Sequence, residues 1–204
     1  NNMLLLNAGD TFQGTIYFNT YEGLSDVVFM NYLRYDAAAV GNHEFDRGPE
    51  VFSKFIKAAN FPILAANLDV GSEPLLKDLV RPSAIVMVGG ERIGLVGAVT
   101  PDLPTISNIG PNVKMLDLRE SCQKAIDALT SQGITKIVLI THVGYGEEVA
   151  LTKSLKGIDV LVGGHSHTYL CSLQIEGLPN PAGPYPTEVK NADGDKAIVV
   201  QAWQ

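Results

Sequence analysis

Five apolar runs in this chain end on the same kind of residue. MLLLNAGD closes on Asp10, AAAVGNHEFD on Asn42, His43 and Asp46, KIVLITH on His142, and DVLVGGHSH on His165 and His167; FPILAANL, closing on Asn67, is a weaker fifth. Short, continuously apolar runs of this length read as strands buried on both faces. Each closes on a side chain that binds metals or handles protons, and all four histidines of the chain fall in this set. In an open α/β sheet, ligands bind at the carboxyl ends of the strands. Segments remote in sequence are therefore expected to meet at one rim and build a single site.

Helical patterns lie between the runs. A helix is predicted over about 22–34, with Leu24, Val27, Val28, Met30 and Leu33 on or near one face. Pro49 suits the first turn of a second helix, running to about Ala59 with Val51, Phe52, Phe55 and Ile56 inward. Gly89-Gly90, between Ala84–Val88 and Arg92–Val99, is a two-residue hairpin signal. Thr100–Lys114, rich in Pro, Gly, Asn and Ser, reads as a long surface loop. Asp117 and Glu120 form a capping-box-like pair that opens a helix, and Gly133 ends it. A short helix over about 147–156 follows the His142 strand. After Leu170, two strands (about 170–176 and 196–202) bracket a loop rich in Pro, Gly and Asn. The alternation predicts sheet layers with helices outside, and the hairpin makes the sheets mixed. With 204 residues and no internal repeat, a single domain is expected.

Composition removes several functions. The formal charge of −7 argues against a general grip on nucleic acid, which needs a basic face. It leaves room for a small phosphorylated substrate, because bound metal ions can supply local positive charge. No apolar run approaches the ~20 residues of a membrane span. Cys122 and Cys171 have no C-x-x-C spacing and form no metal knuckle; a disulfide between them stays open.

Residue by residue, the chemistry is as follows. Asp10 is either a turn cap or a ligand whose two oxygens reach two cations. The amide oxygen of Asn42 is a neutral, hard ligand. Asp46, three residues after His43, can take an imidazole N–H and fix the tautomer, which makes His43 a proton donor toward a substrate oxygen. The competing view has Asp46 and Arg47 as a solvated pair, and Glu44 is read as solvated too. His142 alone is more often a structural hydrogen-bonder. His165 and His167, a His-x-His pair in a turn opened by Gly163 and Gly164, shift the balance toward metal, with Zn, Mn or Fe suited to the ligand set. Asn67, Tyr145 and Thr168 are expected as supports.

Taken together, Gly-Asp, Gly-Asn-His-Glu, an isolated strand-end His and Gly-His-x-His resemble the ordered motif set of the calcineurin-like metallophosphoesterases. Asn-Ala-Gly-Asp-Thr-Phe-Gln-Gly-Thr, Gly-Asn-His-Glu-Phe-Asp-Arg-Gly, Gly-Gly-His-Ser-His-Thr and the closing Asp-Gly-Asp-Lys-Ala-Ile-Val-Val-Gln-Ala look like its secreted and periplasmic 5′-nucleotidase branch.

The resemblance implies a four-layer α/β/β/α sandwich of two mixed sheets with two divalent metals at the strand ends. Asp10 would bridge the metals, and Asn42, His142 and His165 would complete the second. His167 would be a ligand or near-ligand of the first. His43 and Asp46 would form the catalytic dyad, with Asn42 and His43 also touching substrate. The implied reaction is phosphomonoester hydrolysis of a nucleoside 5′-monophosphate by in-line attack of a metal-activated hydroxide. Alternatives within the family are 2′,3′-cyclic nucleotide phosphodiesterase, UDP-sugar hydrolase and the thiosulfohydrolase relatives. An alternative of another class is a non-catalytic metal- or phosphate-binding module, because the family's opening Asp-x-His motif is not among these residues. The family's C-terminal substrate-binding domain is likewise expected only in the complete protein, so residues 1–204 read as an incomplete metallophosphatase domain. By the same resemblance the protein would be periplasmic, secreted or on the cell surface.

Overall fold

Ala37 and Ala39 pack into one core and Ala38 and Val40 into another. That period of two, repeated in neighbouring strands, sets the architecture. The computed structural model describes residues 2–203. In chain order its elements are β1 (Leu6–Asn7), α1 (Ile16–Tyr21), α2 (Leu24–Leu33), β2 (Ala37–Ala39), a 3-10 turn (His43–Phe45), α3 (Gly48–Ala58), β3 (Ile63–Leu64), β4 (Leu68–Asp69), β5 (Val80–Arg81), β6 (Ser83–Val88), β7 (Glu91–Val99), α4 (Leu103–Ile106), β8 (Lys114–Met115), α5 (Leu118–Thr130), β9 (Ile137–His142), α6 (Tyr145–Ser154), β10 (Val160–Gly163), β11 (Thr187–Lys190) and β12 (Lys196–Gln201).

Two larger sheets result. One has the order β1-β2-β3-β5, with every described pairing parallel. The other has the order β11-β12-β10-β9-β7-β6 and is mixed: its four inner strands run parallel, and β6 and β11 are antiparallel edges. A small β4-β8 pair lies apart from both. Between the two sheets sit Ala37, Ala39 and Leu64 from one side and Leu95, Val138 and Ile140 from the other. Outside the first sheet, Ala38, Val40 and Ile63 meet Val27 and Met30 of α2 and Phe52 and Phe55 of α3. Outside the second, Val96, Leu139 and Leu161 meet Ile126 and Leu129 of α5 and Leu151 of α6. Three apolar interfaces make four layers, α/β/β/α, as the family resemblance implies.

The sequence-derived elements hold with four corrections. The helix predicted over about 22–34 is preceded by a separate one, α1, which Thr15 caps by accepting the Phe18 N–H. Glu22 and Gly23 then adopt φ of 52° and 84°, a left-handed break that no helix crosses. On α2 only Val27 and Met30 are buried, while Val28 and Leu33 are exposed. The 100–114 loop contains α4 and ends by supplying β8. No strand forms over 170–176; Leu173 and Ile175 are exposed there, with no layer to cover them. The antiparallel partner of β12 is instead β11, and Leu170 makes only an isolated bridge to Gly183.

Candidate metal centre

Asp10 follows β1 by three residues and sits at φ 58°, an uncommon conformation for a residue with a side chain. It is packed against the turn after β2. A Cβ on Gly41 would lie 2.3 Å from Asp10 N and 2.4 Å from its Oδ1, so only glycine allows this approach. Asp10 Oδ1 accepts the backbone N–H of His43 at 2.9 Å, and Oδ2 faces His142 Nε2 at 2.8 Å. Burial works to raise the Asp10 pKa, but His142 and the His43 N–H outweigh it and hold the carboxyl below its ordinary value.

Glu44 holds this arrangement from behind. Its carboxylate accepts four backbone N–H groups: Asp10 (2.9 Å), Thr11 (2.6 Å), Phe12 (3.2 Å) and Gly41 (2.7 Å). The residue is 2% exposed, so the expectation that it is solvated is wrong. Burial pushes its pKa up, yet every neighbour of its oxygens is a donor, which calls for the ionised form.

His142 ends β9 and is 2% exposed. Its Nδ1–H donates to the Ala8 carbonyl at 2.6 Å, which fixes the tautomer and leaves an Nε2 lone pair at the site. Burial opposes the imidazolium, but Asp10 outweighs it and the pKa lies above its ordinary value. His165, at φ 74° in the turn after β10, puts its ring centroid 5.0 Å from that of His142. Burial, and then the neighbouring His142, keep its pKa below the ordinary value, in keeping with a neutral ligand. Ligand atoms of Asp10, His142 and His165 all lie within 4.8 Å of one another. His167, at φ 47°, lines the same cavity of about 650 Å³ but stands outside that group of three.

Asn42 is buried, and its Oδ1 has no hydrogen-bond partner among the described residues. Its backbone carbonyl accepts Ser107 Oγ–H at 2.7 Å. The 3-10 turn that follows brings His43 Nδ1 to 2.7 Å from Asp46 Oδ2. Asp46 Oδ2 also accepts Gln13 Nε2–H at 2.7 Å, and so is held on a second side. Burial lowers and Asp46 raises the His43 pKa, with a net rise. His43 remains 44% exposed, so its other nitrogen can reach a ligand in solution.

Two of the residues expected as supports make these contacts. Asn67 is fully buried and clasps the end of β7, donating Nδ2–H to Val99 O at 2.7 Å and accepting Val99 N–H at 3.0 Å. Tyr145 OH pairs with Thr187 Oγ1 at 2.8 Å. Both cysteines are free.

The donor set fits a divalent cation. Two buried polar atoms of the site, Asn42 Oδ1 and His142 Nε2, have no hydrogen-bond partner among the described residues, and the 2.8 Å approach of His142 Nε2 to Asp10 lies outside hydrogen-bond geometry. Buried polar atoms left in this state call for a ligand, and imidazole, carboxylate and amide oxygen suit metals of the Zn, Mn and Fe kind.

Two imidazoles and a carboxylate gathered at strand ends of a four-layer sandwich, with an unpartnered amide on the neighbouring turn, fit the class of metal-dependent phosphoesterases. The chain belongs to the calcineurin-like phosphoesterase family, whose profile matches residues 1–169. It is similar to a snake venom 5′-nucleotidase of Crotalus adamanteus, 41% identical over 206 residues, covering 98% of this chain and 35% of that protein. Its fold matches that of a 5′-nucleotidase precursor from Thermus thermophilus, with a TM-score of 0.97 and 54% identity, over 100% of this chain and 40% of that one. It also matches the NAD nucleotidase of Haemophilus influenzae, with a TM-score of 0.91 and 33% identity, over 98% and 40%. The chain thus spans well under half the length of these relatives. Among the described residues no helix is long and apolar enough to cross a membrane.

Proposed function

We propose that the whole protein hydrolyses nucleoside 5′-monophosphates with two divalent cations, Zn, Mn or Fe. The grouping of Asp10, His142 and His165 beside the His43–Asp46 pair carries this reading. Asp10, Asn42, His142 and His165 would hold one cation, and Asp10 could also serve a second on the side of His167. The cations, when bound, lower the pKa of a water and offset phosphoryl charge. His43, its Nδ1–H on Asp46, presents Nε2–H to a phosphoryl or leaving-group oxygen. Asn42 lies next to it at the substrate side of the turn. Glu44 ties the Asp10 and Gly41 turns together, so ligand and proton donor keep one spacing.

The remaining ligands of the first cation belong, in this reading, to an Asp-x-His segment outside residues 1–204, and β1, an edge of its sheet among the described strands, can accept a further strand. Substrate choice belongs to a second domain, in keeping with the length of the relatives. The snake venom relative supports a secreted protein. The NAD nucleotidase likeness supports a second reading, in which a larger nucleotide is cleaved. Steady-state assays of the full-length protein on AMP, a 2′,3′-cyclic nucleotide, UDP-glucose and NAD separate these readings. AMP turnover no faster than that of a generic phosphate ester would refute the first. Failure to bind any divalent cation would refute both and favour a non-catalytic module.

A further inference from the structure

We infer that Glu148 and Gln201 are positioning residues that fix the turn after β10 and thereby aim His165. The inference rests on the metal-site reading above. Glu148 is fully buried on α6, and its Oε1 accepts the Gly164 N–H at 2.9 Å. Its Oε2 accepts Gln201 Nε2–H at 3.2 Å. Gln201, 4% exposed at the end of β12, also donates Nε2–H to Gly164 O at 2.9 Å, while its Oε1 accepts the Thr168 N–H. One amide therefore holds the chain just before His165 and just after His167. Ser166 Oγ adds a third tie by accepting the Tyr145 N–H at 3.0 Å from the start of α6.

This hold has a definite consequence. His165 and His167 adopt φ of 74° and 47°. Residues with side chains keep such backbones only where the surroundings impose them. A rotation of that backbone would swing the imidazole of His165 away from Asp10 and His142. The approach of Glu148 is close enough to dictate sequence: a Cβ on Gly163 would lie 2.0 Å from its Oε2. A buried carboxylate is a costly way to fill space, and its acceptors are spent on the glycine that precedes a ligand. Glutamine cannot replace it silently. Gln201 Oε1 is committed to Thr168, so a second amide at 148 that accepts from Gly164 would turn its own NH₂ toward the NH₂ of Gln201.

The test uses the full-length protein, stripped of metal and titrated calorimetrically with Mn²⁺ alone. Four forms are compared: wild type, Glu148→Gln, Gln201→Met and Thr152→Ala. The last removes the Thr152 Oγ1–H bond to the Glu148 carbonyl (2.8 Å) on the same helix without touching the turn. Glu148→Gln and Gln201→Met are expected to weaken Mn²⁺ binding by about 10–100-fold, the usual effect of losing a partner behind a ligand. Thr152→Ala is expected to lower the melting temperature and leave Mn²⁺ affinity unchanged. Wild-type affinity in the first two variants, or an equal loss in Thr152→Ala, overturns the inference while leaving the metal site standing. If Glu148→Gln does not fold, Gln201→Met is read against the same two outcomes. A wild-type protein that does not bind Mn²⁺ overturns the metal-site reading and this inference with it.

Discussion

Asp10 Oδ1 accepts the backbone N–H of His43, so the carboxylate at the metal group also sets the start of the turn that presents the imidazole. The proposed ligand and the proposed proton donor are thus joined by one hydrogen bond of 2.9 Å, while their side chains would do separate work.

That separation makes the first prediction. In the full-length protein, His43→Asn is expected to leave metal content near wild type and lower turnover by about 10²–10⁴-fold, the range for losing a general acid. His165→Ala should lose metal instead, and His167→Ala should lose less, because it stands outside the group of three. Elemental analysis beside kinetics checks all three. The pH profile adds a sign. Burial lowers the His43 pKa, but Asp46, with the nearby Asp10 and Glu44 carboxylates, outweighs it, so the donor form persists to higher pH than for a free imidazole. Asp46→Asn removes that support and should move the alkaline limb of the profile to lower pH. Equal metal loss in His43→Asn and His165→Ala would show that His43 is itself a ligand.

Glu44 supports the second prediction. In Glu44→Gln, one carboxylate oxygen becomes an NH₂ group facing backbone N–H donors. Either the Asp10 and Gly41 donors or the Thr11 and Phe12 donors then lose their acceptor in a buried place. A buried donor left unpaired costs about 1–3 kcal/mol, so a loss of roughly 2–4 kcal/mol is expected. Urea unfolding of the metal-free protein measures it. A loss below the scatter of ordinary surface substitutions would mean that the four bonds do not stabilise the turn.

Glu44 also marks the limit of what sequence reveals here. The candidate site residues were legible because continuous apolar runs announce buried strands, and each lies at or shortly after the end of one. His43 and Asp46 were legible because three residues on one turn is a local spacing. Three of the four donors to Glu44 come from residues 10–12, more than thirty positions away, and no local pattern announces them. An acidic residue in a polar turn is ordinarily solvated, and that rule failed where the backbone supplied four partners. Gln201 and Glu148 were missed for the same reason: one sat in a strand and the other on a helix, and only the fold brings them behind the His165 turn. The strand expected over 170–176 failed in the opposite direction. Its apolar residues were real, but no sheet face lay there to bury them, and the charged Thr187–Lys190 segment took the edge beside β12.

The third prediction concerns pH and stability. Burial pushes the Glu148 carboxyl from an ordinary 4.5 up to about 7. Below pH 4.5 the group is neutral in both the folded and unfolded chain and contributes no penalty. Between pH 4.5 and 7 the unfolded chain gives up the proton first, so the folded state binds more protons and stability falls as pH rises. The full effect is on the order of 3 kcal/mol at 1.36 kcal/mol per pKa unit. Denaturant midpoints of the metal-free protein should show this decline, and Glu148→Gln should flatten it. A variant with the wild-type pH slope would assign the decline to other groups.

The last prediction tests how closely the two sheets meet. Gly97 on β7 accepts the N–H of Ala66, just past β3 of the first sheet, at 2.7 Å, and donates its own N–H to Pro82 O, just before β6, at 3.2 Å. A Cβ there would lie 2.2 Å from the Leu64 carbonyl oxygen, and that neighbour is backbone and cannot turn aside. Gly94, three residues earlier on the same strand, faces the opposite core. A Cβ there would meet the Cδ1 methyls of Ile137 and Leu129 at 2.8 Å, and those are side-chain ends that can rotate. Gly97→Ala is therefore expected to cost more than Gly94→Ala, with the first at or above the roughly 1–3 kcal/mol of an overpacked core. Because Asn67 grips Val99 two residues further along β7, the displaced strand should also disturb the site. Urea midpoints with unchanged slopes would measure the two costs, and Mn²⁺ titration would show whether the Gly97 variant alone weakens metal binding. A smaller loss at position 97 than at 94 would mean that the sheets separate freely at this point, against the Ala66–Gly97 hydrogen bond that links them.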